Sequence, residues 1–406
     1  MRTLLCLFLV LIGPAFTYAK SNHTSNWAVI VSSSRYWFNY RHNANALSIY
    51  HILKQRGIPD SNILLMLAED VACDPRNVLP ATVYNSANHR VNLYRDDDVS
   101  VDYRGPEVTV ENLVRLLTGR HHVDTPRSKR LLSDENSNIL IFLAGHGADG
   151  FLKFQDDEIL SSQDLADALE QMYQQRRYGK VLLMLETCQA STLAEQLISP
   201  NIIAIGSSAR GESSYSHGVD FQLGNTIIDR FTYYTLSFFE SQKRMETEYL
   251  LQQQDIRRRA LSHVGATWRP PTPRSGVNFK SLADLFSTYS PHLLGAHAIP
   301  RTDLLLPPAT TRDISVYDFF AAASSPLIRI ETLYPTLNFD WSQTATADTL
   351  RTDEASSANG KNMTSQHRSA TATLHVRSTS LQTSTRLTIF TALSTLVTLI
   401  LLAHSM

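Results

Sequence analysis

Short apolar runs alternate with helical patterns from Asn26 to about Phe239. Trp27 to Val31 predicts one strand and Ile63 to Leu67 a second. Between them, Asn43 to Arg56 places Ala46, Tyr50 and Leu53 on one helical face, with Gly57 as a stop. Thr109 can cap a helix in which Val110, Leu113, Val114 and Leu117 follow the i, i+3, i+4, i+7 rule, and Gly119 ends it. Ile139 to Ala144 and Val181 to Leu185 are unbroken apolar runs, the pattern of strands buried on both faces of a parallel sheet. Ser161 to Tyr173 lies between them with Leu165, Leu169 and Met172 in phase. Ile202 to Ile205 predicts a fifth strand, and Leu223 to Phe239 a long helix. Strands alternating with helices in this way specify a doubly wound α/β sheet.

The pattern then decays. Residues 241–275 mix Gln, Arg and Glu with Pro270-Pro271-Thr272-Pro273; the first part can extend a helix and the second is linker-like. Val277 to Tyr289 and Ile314 to Ala322 predict short helical pieces packed back on the core. Residues 342–385, dominated by Ser, Thr and Ala, read as a disordered stalk. At the start, Met1 to Ala19 has one early positive charge, an apolar run and a small residue at its boundary, as a secretory leader does; an uncleaved anchor is the rival reading. At the other end, Leu387 to Ala403 is 17 residues without a charge. That is the low edge of the roughly 17–25 a membrane helix needs. A lipid-attachment signal is the rival there. The expected organisation is a leader (1–19), a lumenal catalytic domain (20–322, core 26–240), a Ser/Thr-rich stalk (323–386), a membrane helix (387–403) and a short tail (404–406). Asn22 and Asn362 begin glycosylation sequons.

Composition narrows the classes. The 406 residues carry 37 Lys and Arg against 38 Asp and Glu, which excludes the basic footprint of a nucleic-acid binder. Three cysteines are too few for a small disulfide-stapled scaffold.

Chemistry gathers at two predicted strand ends. Ile139 to Ala144 runs into Gly145-His146-Gly147, and Val181 to Leu185 into Glu186-Thr187-Cys188-Gln189. In a doubly wound sheet, ligands bind outside the carboxyl ends of the strands. A cysteine and a histidine on two such ends are the nucleophile and base of a thiol acyl-transfer enzyme. Glycines beside the histidine let backbone approach a substrate, and the N–H groups of Gly147 and Cys188 are candidates for an oxyanion hole. A helical segment after Cys188 can favour its thiolate. Taken singly, Cys188 reads as a buried structural thiol and His146 as a turn histidine.

These two motifs resemble the legumain-type (C13) cysteine peptidases. Further runs at Arg35–His42, Gly57–Asp60, Cys73–Asn77, Val101–Arg104, Thr125–Arg130, Gly150–Phe154, Ser199–Ile202 and Tyr317–Phe320 resemble the branch that forms the catalytic subunit of GPI-anchor transamidases. The resemblance is dense over residues 26–240 and reaches weakly to 322. It implies a caspase-like, mostly parallel sheet flanked by helices, in a membrane-bound complex of the endoplasmic reticulum, where the chain's own two ends predict a single-pass, type I placement. It implies an enzyme that removes a C-terminal signal from a proprotein and joins a GPI lipid in its place. By the same resemblance Asn39 orients His146, and Glu186 and Ser207 belong to the substrate pocket. Two departures stand out: Ala148 replaces a usual glycine, and Glu186 replaces the aspartate usual in this branch. Competing readings are a lumenal legumain-like endopeptidase and a silent scaffold of the same fold.

Removing a leader deletes Cys6 and leaves Cys73 and Cys188. If Cys188 is a free nucleophile, Cys73 has no partner in its own chain, and an unpaired cysteine in a secreted protein points to an intermolecular bridge. The resemblance implies that the bridge leads to a noncatalytic PIG-T-type subunit; a Cys73–Cys188 disulfide is the rival. No cofactor is expected in catalysis. Asp60, Asp96, Asp97, Asp98 and Asp102 could hold a structural Ca²⁺, with Asp60 and Asp102 the choice by similarity and a solvated acidic loop the alternative.

Overall fold

The unbroken apolar runs become the middle of one twisted sheet. The structure, a computed structural model, describes residues 23–94, 99–262 and 280–323. In chain order, β1 (Ser25–Ser32) leads into α1 (Tyr40–Gln55), β2 (Ile63–Leu67), β3 (Tyr103–Arg104), α2 (Val110–Thr118) and β4 (Ser137–Ala144). A small antiparallel sheet follows, made of β5 (Gly147–Ala148), β6 (Phe151–Phe154) and β7 (Glu158–Ser161). Then come α3 (Ser162–Gln174), β8 (Lys180–Glu186) and β9 (Ile202–Gly206). The hairpin β10 (Ser216–Asp220) and β11 (Asn225–Asp229) runs into α4 (Arg230–Ser262). The short α5 (Leu282–Phe286), α6 (Pro291–Leu294), β12 (Ile299–Arg301) and α7 (Tyr317–Phe320) complete the described chain.

The main sheet has the order β12-β9-β8-β4-β1-β2-β3 and is parallel except for β12, which pairs antiparallel with β9. From β1 the chain winds outward to β2 and β3, then returns to the other side of β1 to lay down β4, β8 and β9. The reversal falls between β1 and β4, so the ligand crevice of this topology opens at their carboxyl ends. Every residue of β4 is buried, as its unbroken apolar sequence requires of a central parallel strand.

Local signals act where expected. The Thr109 side chain accepts the Asn112 N–H, and Gly119 closes α2 in the left-handed region at φ 70°. Ser161 and Asp164 form a capping box on α3. α1 differs from its predicted one-faced pattern. It lies between the sheet and the β10–β11 hairpin, so His42, Asn43, Asn45 and Ser48 are buried along with its apolar residues.

The predicted helix over 223–239 is corrected at its start. Gly224 turns at φ 64°, and the Asp220 carboxylate accepts the N–H groups of Gln222 and Leu223 at 2.8 and 3.0 Å. This turn chemistry makes Asn225–Asp229 a hairpin strand, and α4 begins only at Arg230. α4 then continues to Ser262, which accounts for the first part of the 241–275 stretch. Near the end of the described chain, α7 packs back on the sheet. The Asn26 and Asn138 amides donate to the carbonyls of Ala321 and Asp318 at 2.5 and 3.0 Å.

No helix of the described residues is long and apolar enough to cross a membrane. The leader, Asn22, Asn362, residues 324–386 of the stalk, and the 387–403 span lie outside the described residues.

Candidate active site

Parallel register sets the site. Ser32 pairs with Ala144, and Ala144 with Glu186, so β1, β4 and β8 end at one level. The Gly145 N–H donates to the Glu186 carbonyl at 3.2 Å, carrying the contact between the last two strands one residue further. His146 and Cys188 each stand two residues beyond the Ala144–Glu186 pair. Adjacent strands lie about 4.8 Å apart, so the two loops leave side by side. Cys188 is half-buried with a free thiol, and His146 is exposed on one side.

The imidazole of His146 is oriented. Its Nε2 lies 2.7 Å from Asn39 Oδ1, and Asn39 Nδ2 donates to the Arg35 carbonyl at 2.6 Å. With the amide turned that way its oxygen can only accept, so Nε2 carries the proton and Nδ1 holds the lone pair. Asn39 is 4% exposed, at the end of the loop after β1. Desolvation, then the positive charges of Arg41 and Lys153, holds the His146 pKa below the ordinary histidine value. Sequence reasoning missed a second histidine here. His42 meets His146 edge-on, with ring centroids 5.0 Å apart, and is bonded to Ser34 Oγ at 2.8 Å. Its pKa is driven well down by burial, then by Arg41 and His146, so it is a neutral wall behind the imidazole.

Both glycines around His146 are fixed by close approach. A Cβ on Gly145 would stand 2.1 Å from Ser33 Oγ; one on Gly147 would stand 2.5 Å from Thr187 Oγ1 and 2.6 Å from the Phe151 carbonyl. Ala148, by contrast, sits in β5 opposite Phe151 without a left-handed backbone, so nothing here demands glycine. In the turn after β8, Thr187, Gln189 and Ala190 donate their N–H groups to Ser207 Oγ, the Glu212 carbonyl and Ser208 Oγ. Among the described residues the Cys188 N–H has no such acceptor, as an oxyanion donor requires. The expected helical support is weaker than predicted. Gln189 takes a left-handed φ of 52° and leads into a single short 3₁₀ segment, Ala190–Ala194, with little dipole behind it.

Glu186 and Ser207, the residues expected in the substrate pocket, are both buried, at 1% and 2% exposure. Ser207 Oγ donates to the Thr187 carbonyl at 3.0 Å, so it braces the nucleophile turn. The Glu186 carboxylate accepts from Ser214 Oγ, Thr232 N–H and Thr232 Oγ at 2.8, 2.9 and 2.9 Å. Burial, then the neighbouring Asp229 charge, raises its pKa. Asp229 is itself tied to Arg41 Nε at 3.1 Å and Asn45 Nδ2 at 2.6 Å. Arg41, His42, Asp229 and Glu186 thus form a layer of ionisable side chains beneath the site, buried except for the half-buried Arg41.

The remaining candidates lie apart from it. Cys73 is exposed and free, and the Asp70 charge raises its pKa; no Cys73–Cys188 disulfide forms. Asp60 accepts from Lys54 Nζ at 2.5 Å and from the Tyr50 hydroxyl. Asp102 accepts the Leu65 N–H at 3.0 Å, and burial pushes its pKa up to about 6. Among the described residues no cluster of three metal-ligating side chains occurs; Asp96, Asp97 and Asp98 lie outside them.

A strand-end cysteine and an oriented histidine thus stand on neighbouring loops at one end of the sheet. The Peptidase C13 family matches residues 26–268, and the chain belongs to that family. It is 47% identical over 301 residues to the GPI-anchor transamidase of Saccharomyces cerevisiae, covering 74% of this chain and 65% of that protein. It is 56% identical over 223 residues to the GPI-anchor transamidase of Homo sapiens, covering 55% and 56%. The chain therefore spans less than two thirds of the length of these relatives. Among solved structures, Caspase-1 from Spodoptera frugiperda aligns at 12% identity with a TM-score of 0.31, over 70% of this chain and 89% of that one.

Gly147→Ala is expected to destabilise the fold by about 1–3 kcal/mol, because two atoms of the facing backbone and side chain must move. Denaturant titration checks this, and an unchanged midpoint would show that the glycine is dispensable.

Proposed function

We propose that this chain is a cysteine-dependent transamidase that cleaves a C-terminal GPI-attachment signal and transfers the acyl group to the ethanolamine amine of a GPI lipid. The observation that carries the reading is the Asn39–His146 hydrogen bond. It commits Nε2 and leaves Nδ1 free to serve as the base for Cys188, whose loop leaves the neighbouring strand at the same level. The names of the relatives supply the substrate class. Family membership alone favours a second reading, a peptidase in which water is the acceptor.

In the first half-reaction His146 Nδ1 takes the Cys188 thiol proton, and the sulfur attacks the carbonyl carbon at the attachment site. The N–H groups of Cys188 and Gly147 receive the oxyanion; losing one such donor typically costs about 100- to 1000-fold in rate. The amide C–N bond breaks as His146 returns the proton to the departing amine, leaving a thioester. In the second half the ethanolamine amine attacks that carbonyl and gives its proton to His146. The C–S bond breaks, and Cys188 leaves as thiolate and recovers the proton. One amide is exchanged for another, with every atom supplied by the chain and its two substrates. A positioned amine can reach effective molarities on the order of 10⁵–10⁸ M, enough to outrun roughly 55 M water.

The same reading makes Cys73 the bridge to a noncatalytic PIG-T-type subunit and puts the catalytic unit on the lumenal side of the endoplasmic reticulum membrane. Exposure of the free Cys73 supports the bridge; the leader-like start and apolar tail support the location.

Three outcomes are expected. Cells lacking transamidase activity should be rescued by the wild-type chain and not by Cys188→Ala; rescue by the variant would remove the nucleophile. Hydrolysed product without lipid transfer would instead select the peptidase. The acid limb of kcat/KM should have its midpoint below 6.5, since lowering the His146 pKa preserves the base form into mild acid. Lys153→Gln should move that midpoint upward, and a shift in the opposite direction would contradict the assignment. On non-reducing gels of the intact complex, Cys73→Ser should abolish one high-mass band; an unaltered pattern rules out the bridge.

A further inference from the structure

One acidic residue outside the catalytic pair reaches it through a chain of hydrogen bonds. Tyr36, in the loop after β1, has φ 76° and ψ 147°, a backbone region that is essentially glycine's. Such a conformation persists only when its surroundings hold it. Glu69, half-buried just beyond β2, accepts the Tyr36 N–H on Oε2 at 2.8 Å. Its own position is pinned: Oε1 accepts the Asp70 N–H at 3.2 Å, and its backbone carbonyl accepts Asn43 Nδ2 at 2.9 Å. On the outer side, Asp156 accepts from the Tyr36 hydroxyl at 2.9 Å and from Arg35 Nη1 at 3.3 Å.

The Tyr36 N–H and the Arg35 carbonyl belong to one planar peptide group and point in opposite directions. Glu69 grips the N–H end. The carbonyl end accepts Asn39 Nδ2 at 2.6 Å, which turns Asn39 Oδ1 toward His146 Nε2 at 2.7 Å. The Tyr36 carbonyl also accepts the Asn39 N–H at 3.0 Å. A carboxylate acceptor makes the first bond of this chain a strong one.

We propose that Glu69 is a positioning residue for His146, acting through the Arg35–Tyr36 peptide plane and the Asn39 amide. The inference rests on the acyl-transfer reading above. Without the carboxylate, the peptide plane at Tyr36 relaxes toward ordinary φ, its carbonyl swings off the Asn39 amide, and the imidazole loses its fixed tautomer. Substrate binding is untouched, so the loss falls on kcat.

The test is a double-mutant cycle on the full chain, expressed in membranes of cells lacking their own copy, with transfer of a reporter proprotein as the readout. Glu69→Ala should lower kcat about 10- to 100-fold with KM held within about twofold. Glu69→Gln, whose amide oxygen still accepts the Tyr36 N–H, should recover most of that loss. In an Asn39→Ala background, Glu69→Ala should add less than about twofold, because the relay is already cut. An undiminished cost in that background, or a Gln variant no better than Ala, overturns the proposal. If Glu69→Ala fails to accumulate, Glu69→Leu keeps the volume, removes the acceptor and gives the same comparison. Transfer by Cys188→Ala would instead defeat the parent reading, a result that no Glu69 variant can mimic.

Discussion

The in-register parallel pairing of β1, β4 and β8 is the constraint on which the site depends. Three loops leave the sheet at one level because Ser32, Ala144 and Glu186 are neighbours across it. A slip of one residue between β4 and β8 would turn every side chain of one strand to the opposite face. It would also separate His146 from Cys188 along the strand direction. Burial of both faces of β4 makes that slip costly, so the precision of the reacting pair derives from apolar residues that never meet a substrate. The two glycines add the second half of the constraint, since they let the histidine loop lie directly against Ser33 and Thr187.

Beneath this frame the structure retains groups that a fold selected for stability alone would discard. Glu186 and Asp229 are both fully buried, and both have raised pKa values, with burial the first cause. An acid whose folded pKa is raised binds its proton more tightly in the native state. Its contribution to stability therefore falls as pH rises from the ordinary carboxylate range to the folded value. Arg41 offsets part of this through Asp229. Such a layer directly under the reacting residues fits a molecule that accepts strain at its functional site.

Much of the sheet was legible because buried parallel strands are unbroken apolar runs, and the reactive pair was legible because it stands at their ends. The hairpin was not. Ile227 and Ile228 fit a helical face as well as a strand, and the turn is decided by the Asp220 carboxylate and Gly224. Glu186 and Ser207 are marked only by the family resemblance; their burial and internal hydrogen bonds depend on contacts distant in sequence. Glu69 and His42 carried no local signal at all. Glu69 meets Tyr36 across 33 residues, and a polar residue on a helix buried on both faces breaks the amphipathic pattern that would mark it. Only the family resemblance of Arg35–His42, which marks Asn39, pointed to this loop as part of the site.

The environment of Cys73 has a kinetic consequence. Asp70 raises the thiol pKa by its charge, with burial and a hydrogen bond adding to the effect. Little thiolate is therefore present to attack another sulfur. In the reverse direction a high-pKa thiol is a poor leaving group. A mixed disulfide made at Cys73 would therefore exchange more slowly than one at an unperturbed thiol.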